Sequence, residues 1–147
     1  MSPEPKALHF DVADNLYKLI TKAAGRKYRV AQRVNLRFPD VNSMPSPDVF
    51  VIALAEWKRA RLEEVYPDGS KVCLAIEVLS PSNRKPALLS KINIYTTHGL
   101  EAWLVDPKRQ EVKVYRGKRT DTFSVKNDSA FEWNGKAVPL SAIFRLV

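Results

Sequence analysis

The chain has 147 residues, 45% of them hydrophobic and 27% charged. That is enough for one domain with its own core, expected to span 1–147, and excludes the composition of a disordered segment. A formal net charge of +8 and a pI of about 9.7 favour polyanionic partners, nucleic acid first. No apolar run approaches the ~20 residues of a membrane helix. Met1–Pro5 lacks the apolar core of a secretion signal. The single cysteine, Cys73, excludes an internal disulfide and a cysteine-based metal cluster, so a cytoplasmic location is expected.

The first predicted element is a helix over Asp11–Ala24, with an apolar stripe of Leu16, Leu19, Ile20 and Ala23. Lys18, Lys22 and Arg26 follow a spacing of four on its other side, and Gly25 is the stop. Alternation over Tyr28–Phe38 predicts a long strand. Tyr28, Val30, Val34, Leu36 and Phe38 form one face, and Arg29, Arg33 and Arg37 the other. Each basic group reads as a solvated face by itself. Two of them in the same third of the chain suggest a track for a nucleic-acid backbone.

After a loop over Pro39–Pro47, a second strand is predicted at Asp48–Ala53 and a short charged helix at Ala55–Glu64. Pro67-Asp68-Gly69 marks a turn. A third strand, Lys71–Leu79, is apolar on both faces apart from Glu77, the pattern of a covered central strand, with Cys73 as a small core residue. Ser80-Pro81-Ser82-Asn83 leads into a helix near Pro86–Thr97, stopped by Gly99. A hairpin of Ala102–Asp106 and Glu111–Tyr115 follows. The tail from Thr120 reads as short strands and a last helical turn. This order predicts an α/β fold with a mixed central sheet flanked by helices.

Glu77 is the most informative residue. A carboxylate among apolar neighbours is costly unless it is paired or binds a cation. It reads either as a metal ligand, or as an edge-strand acid or salt-bridge partner. Asp48 alone reads as turn chemistry after Pro47. Beside Glu77 on a paired strand it would supply a second hard oxygen, which suits Mg²⁺ or Mn²⁺. Lys91 shares the stripe of Leu88, Ile92 and Tyr95. It reads either as a structural partner of Glu77 or as a lysine that orients a metal-activated water. Ser80, Ser82 and Asn83 stand where a helix start caps itself or holds a phosphate. His9 and His98 show no mutual metal-ligand spacing and are not assigned to a site.

Several segments together resemble a known family. They are Pro47–Val51, Ile76–Ser82 with its Glu-Val-Leu-Ser-Pro-Ser core, Lys91 and Tyr95, Gly99–Pro107, and Val112–Tyr115. The chain resembles the Uma-two family of putative restriction endonucleases, which is similar to the PD-(D/E)XK nuclease superfamily. That resemblance implies a restriction-endonuclease-like core and a metal-dependent endonuclease acting on DNA. It implies Asp48 and Glu77 as Mg²⁺ ligands, helped by a backbone carbonyl near Val78, with Lys91 completing a catalytic set. Leu79 stands where many superfamily members carry the lysine, and Lys91 on the following helix takes its place. Ala87 stands where family members often carry an aspartate. Only eight residues precede His9, where many members have a longer segment. The alternative is a weak or inactive nuclease-like module that binds nucleic acid or protein. A homodimer is expected only by analogy with nucleases that cut two strands.

Overall fold

A computed structural model describes residues 7–81 and 85–146. The elements in chain order are α1 (Ala7–Ala24), β1 (Tyr28–Ala31), β2 (Val49–Ala53), α2 (Leu54–Glu63), β3 (Val72–Val78) and α3 (Lys85–Thr97). Then come β4 (Glu101–Asp106), β5 (Glu111–Arg116), β6 (Arg119–Ser124), β7 (Ala130–Trp133), β8 (Lys136–Pro139) and α4 (Leu140–Ile143). Strands β1 to β6 form one sheet in sequence order. Its neighbours are antiparallel except for β3 and β4, which are parallel and joined by α3. This is the α/β class expected, with a mixed sheet flanked by helices. Gly25 and Gly99 follow α1 and α3 with φ of +86° and +83°, a conformation that Gly adopts without the Cβ penalty and that ends helices.

Each sheet face has its own core. On one face, Val12, Leu16 and Ile20 of α1 pack on Val49, Val51, Leu74, Ile76 and Val78. Phe131, Trp133 and Leu140 of the tail belong to the same cluster. On the other face, Leu88, Ile92 and Tyr95 of α3 pack on Phe50, Ile52, Ala75 and Leu104. The central strands therefore alternate between two apolar environments, as continuous hydrophobic runs do in covered sheets. Among the described residues, no helix is long and apolar enough to cross a membrane.

Two expectations fail locally. The long strand Tyr28–Phe38 ends at Ala31, because Arg33 takes a left-handed φ of 54° and bends the chain. Its backbone N–H donates to the carbonyl of Pro47. The bend changes the parity of the residues beyond it. Val30 faces the α1 core, whereas Leu36 and Phe38 join the α3 core. Cys73 is exposed rather than a core residue. The register of β2 against β3 slips between Val51↔Leu74 and Ile52↔Val72. Cys73 is the extra residue of that bulge, and extra residues at bulges lie outside regular pairing. Helix α1 also starts four residues earlier than Asp11, which brings His9 into its first turn.

Candidate active site

Strand register brings the two acids together. Val49 pairs with Ile76, so in an antiparallel ladder the residue before Val49 lies across from the residue after Ile76. Those residues are Asp48 and Glu77, and both point to the α3 side because side chains alternate along a strand. Asp48 Oδ2 accepts the backbone N–H of Val78 at 2.7 Å, a buried bond that fixes the carboxylate at the end of the β2–β3 ladder.

The two acids have different surroundings. Asp48 is nearly buried and edged by cationic or polar donors. His9 Nε2 lies 3.4 Å from its Oδ2 and Arg33 Nε 3.8 Å from its Oδ1. Arg33 Nη2 lies 3.5 Å from His9 Nδ1. An Arg can only donate, so Nδ1 accepts there and Nε2–H faces Asp48. Glu77 is 2% exposed and accepts the phenol O–H of Tyr95 at 2.6 Å on Oε2. Burial, and then repulsion from Asp48, push the Glu77 carboxyl up to about 7, while Lys91 and Tyr95 pull it down. Burial also raises the Tyr95 phenol, and Glu77 raises it further, so it stays a donor. Lys91 is half-buried on α3 and acts on Glu77 through its charge. The direct hydrogen bond expected of a structural Lys91–Glu77 pair is supplied by Tyr95 instead.

Asp48, Glu77 and Val78 thus meet at the carboxyl end of β3, with Lys91 of α3 near enough for its charge to act on Glu77 and Ser80 buried two residues beyond the strand. Open α/β sheets commonly carry their sites at such strand ends. Ser82 and Asn83 lie outside the described residues. The basic track does not form as expected. The Arg29 guanidinium lies over the Trp57 ring at 5.1 Å, whereas Arg33 reaches Asp48 and His9. Arg37 lies beyond the bend, where its backbone bridges to Asp68. Lys18 pairs with Asp14, and Lys22 is exposed in the last turn of α1, on the helix that covers the other sheet face. Arg26 falls past the helix end.

His9 and Tyr95 are the site residues that sequence reasoning missed. The signal for Tyr95 was its place one turn after Lys91 on an apolar stripe, since a buried phenol needs a partner. His9 gave no such signal, because its contact with Asp48 spans 39 positions of sequence. His98 lies elsewhere, bonded to Ile94 and Asp40 beyond the end of α3.

The donor set suits a hard cation. Two carboxylates converge, and the hydrogen bond on Glu77 comes from a neutral phenol. Mg²⁺ is commonly held by only one or two carboxylates, with water and substrate phosphate completing the shell. Among the described residues, no group of three His, Cys, Asp or Glu side chains is arranged to hold a metal.

Residues 1–135 match the model of the Uma2 family, described as "Putative restriction endonuclease". A solved structure, described as "a putative nuclease belonging to DUF820" from Anabaena variabilis ATCC 29413, superimposes with a TM-score of 0.78. It is 21% identical, and the match covers 97% of this chain and 83% of that one. No curated protein matches the chain.

Proposed function

The chain belongs to the Uma2 family, and from that premise we propose that it is a metal-dependent endonuclease hydrolysing phosphodiester bonds in DNA, of the PD-(D/E)XK type. The observation that carries the reading is the buried Asp48–Glu77 pair, in which Glu77 is held near neutrality by burial and by the neighbouring acid. A buried carboxylate whose hydrogen-bond partner is a neutral phenol is one a cation would complete.

Asp48, Glu77 and the Val78 carbonyl would hold Mg²⁺ or Mn²⁺. When bound, the ion polarises a phosphate oxygen and lowers the pKa of a coordinated water. The chain's own residues set up the rest. Tyr95 fixes the rotamer of Glu77, and the Val78 N–H fixes Asp48. Lys91, close enough to act on Glu77 without displacing Tyr95, orients the attacking water and offsets charge developing on the phosphate. Arg33 flanks Asp48 and offers N–H donors toward a phosphate, while the Nε2–H of His9 orients Asp48. Ser80 and Ser82 follow Glu77 toward the start of α3, where a phosphate is well received. Arg29, Arg37, Lys18 and Lys22 add general attraction to the DNA backbone rather than a single aligned track.

The test is Mg²⁺- or Mn²⁺-dependent cleavage of DNA by the purified protein. It should disappear in Asp48→Ala, Glu77→Ala and Lys91→Ala while salt-sensitive DNA binding survives. Cleavage undiminished in Glu77→Ala would sink the mechanism. A second reading, a nuclease-like module that binds without cutting, is favoured by the absence of a three-donor cluster among the described residues and by Ala87. DNA binding with neither cleavage nor metal affinity would establish it.

A further inference from the structure

A cavity of about 280 Å³ opens on the side of His9, the residue that lies against Asp48. His9 belongs both to its lining and to the immediate surroundings of Asp48, so the cavity and the candidate site share a wall. Ser80 continues that wall from the end of β3. Leu8, Leu79, Pro81 and Pro107 give the cavity a mainly apolar interior. Its charged members are Lys85, Lys108 and Asp106. Asp106 is held in place by the backbone N–H groups of Lys108 and Arg109, at 3.0 and 3.1 Å. Among the described residues both bonds fall on Oδ1, which leaves Oδ2 to accept from a ligand.

We propose that this cavity receives one unpaired nucleobase of a DNA strand whose phosphate lies at Asp48 and Glu77. The assignment rests on the nuclease reading and specifies its substrate. The space is compact and apolar-walled, as pockets for flipped bases are. A base stacked inside a regular duplex cannot enter it, so the favoured substrate is single-stranded DNA or a duplex with an extruded nucleotide. The charges agree with a base inside and phosphates outside. A fixed carboxylate repels a phosphate but accepts an exocyclic amine, as acidic side chains do from cytosine N4. The two lysines supply the cations that flanking phosphates need.

The experiment measures binding of the full chain in EDTA, where metal-dependent cleavage is silent. The probes are a labelled perfect duplex, the same duplex with one extruded cytosine, and the same with one extruded thymine. We expect the cytosine probe to bind at least about tenfold more tightly than the perfect duplex, with thymine between them. Leu8→Trp should fill the cavity from α1, and Pro107→Phe should narrow it from the β4–β5 turn. Either variant should abolish the preference while leaving affinity for the perfect duplex within about twofold. Having both keeps the test decisive should one fail to fold. Asp106→Asn should bring cytosine and thymine together. Equal affinity for the three probes, or a preference that both folded cavity variants retain, would overturn the assignment. If the wild type nevertheless cleaves DNA with Mg²⁺, the nuclease reading survives that failure. If it neither binds nor cleaves DNA, both fall together.

Discussion

Glu56 and Glu77 are both buried, at 7% and 2% exposure, and the protein treats them in opposite ways. Glu56, on α2, is gripped by Arg59 through Nε and Nη2 at 2.8 and 2.7 Å. It also accepts the N–H of Asp68 at 2.9 Å. Its carboxyl is held below the usual range, chiefly by the hydrogen bond from Arg59. Glu77 has a neutral phenol for a partner and another carboxylate across the ladder, and its acid is pushed up. A carboxylate that serves only the fold is given its counter-charge by the fold. One left without it is a candidate for function, and the proposed role of Glu77 is to hold a metal ion.

The largest expected effect separates the two acids by activity. Glu77→Ala and Asp48→Ala should lower Mg²⁺-dependent cleavage by about a thousandfold or more. Glu56→Gln should leave the activity of the folded protein within a few-fold. Initial rates on DNA at equal folded concentration decide it, and a Glu56 variant as inactive as the Glu77 variant would dissolve the contrast.

Stability should move the other way. Glu56→Ala breaks a buried pair, a change that typically costs 3–5 kcal/mol. The stranded Arg59 is 39% exposed and can rehydrate, so about 2–3 kcal/mol is expected in urea melts at pH 7. Because the Glu56 carboxyl is held low, its contribution is present above the ordinary glutamate range and is lost as pH falls through its folded value.

For Glu77 the sign reverses. Its folded value, about 7, lies above the ordinary glutamate value of 4.5, so the folded metal-free protein binds the extra proton between those limits. Its contribution is complete below pH 4.5 and is lost as pH rises through 7. Glu77→Gln should therefore stabilise the metal-free protein at pH 8 by about 1–2 kcal/mol and do little at pH 4. Melts of both proteins across pH check this. A variant less stable than wild type at pH 8 would make Glu77 a structural acid after all. The smallest effect is that of Tyr95→Phe, about 1 kcal/mol for the lost bond. It should also shift the pH at which the Glu77 contribution disappears upward, since one group favouring the charged form is gone.

Most of the element order could be read from periodicity and turn residues. β4, β5, α3 and both glycine stops fell close to their expected places. The acids were legible for a physical reason, since a lone carboxylate in an apolar run contradicts its surroundings. The features that could not be read were tertiary. The left-handed turn at Arg33 interrupts an alternation that continues to Phe38 in sequence with only Gln32 out of pattern on its apolar face, so the three arginines were given a common face they do not have. The bulge at Cys73 depends on a partner strand, and nothing local in Val-Cys-Leu announces it. His9 entered the site through a contact between distant segments, where neither spacing nor propensity reports, whereas Tyr95 was signalled only by its place on the apolar stripe beside Lys91.

The bulge also governs where the gene can tolerate a change of length. Cys73 absorbs the odd residue on the turn side of β3, and the pairing from Val51↔Leu74 to Val49↔Ile76 then runs without interruption toward Glu77. Deleting Cys73 would straighten the strand and leave Glu77 opposite Asp48. Inserting one residue between Leu74 and Ile76 would shift the frame of everything beyond it and rotate Glu77 to the α1 face, away from its partner. Two indels a few codons apart, nearly identical in composition, would thus differ in whether the protein keeps a site at all.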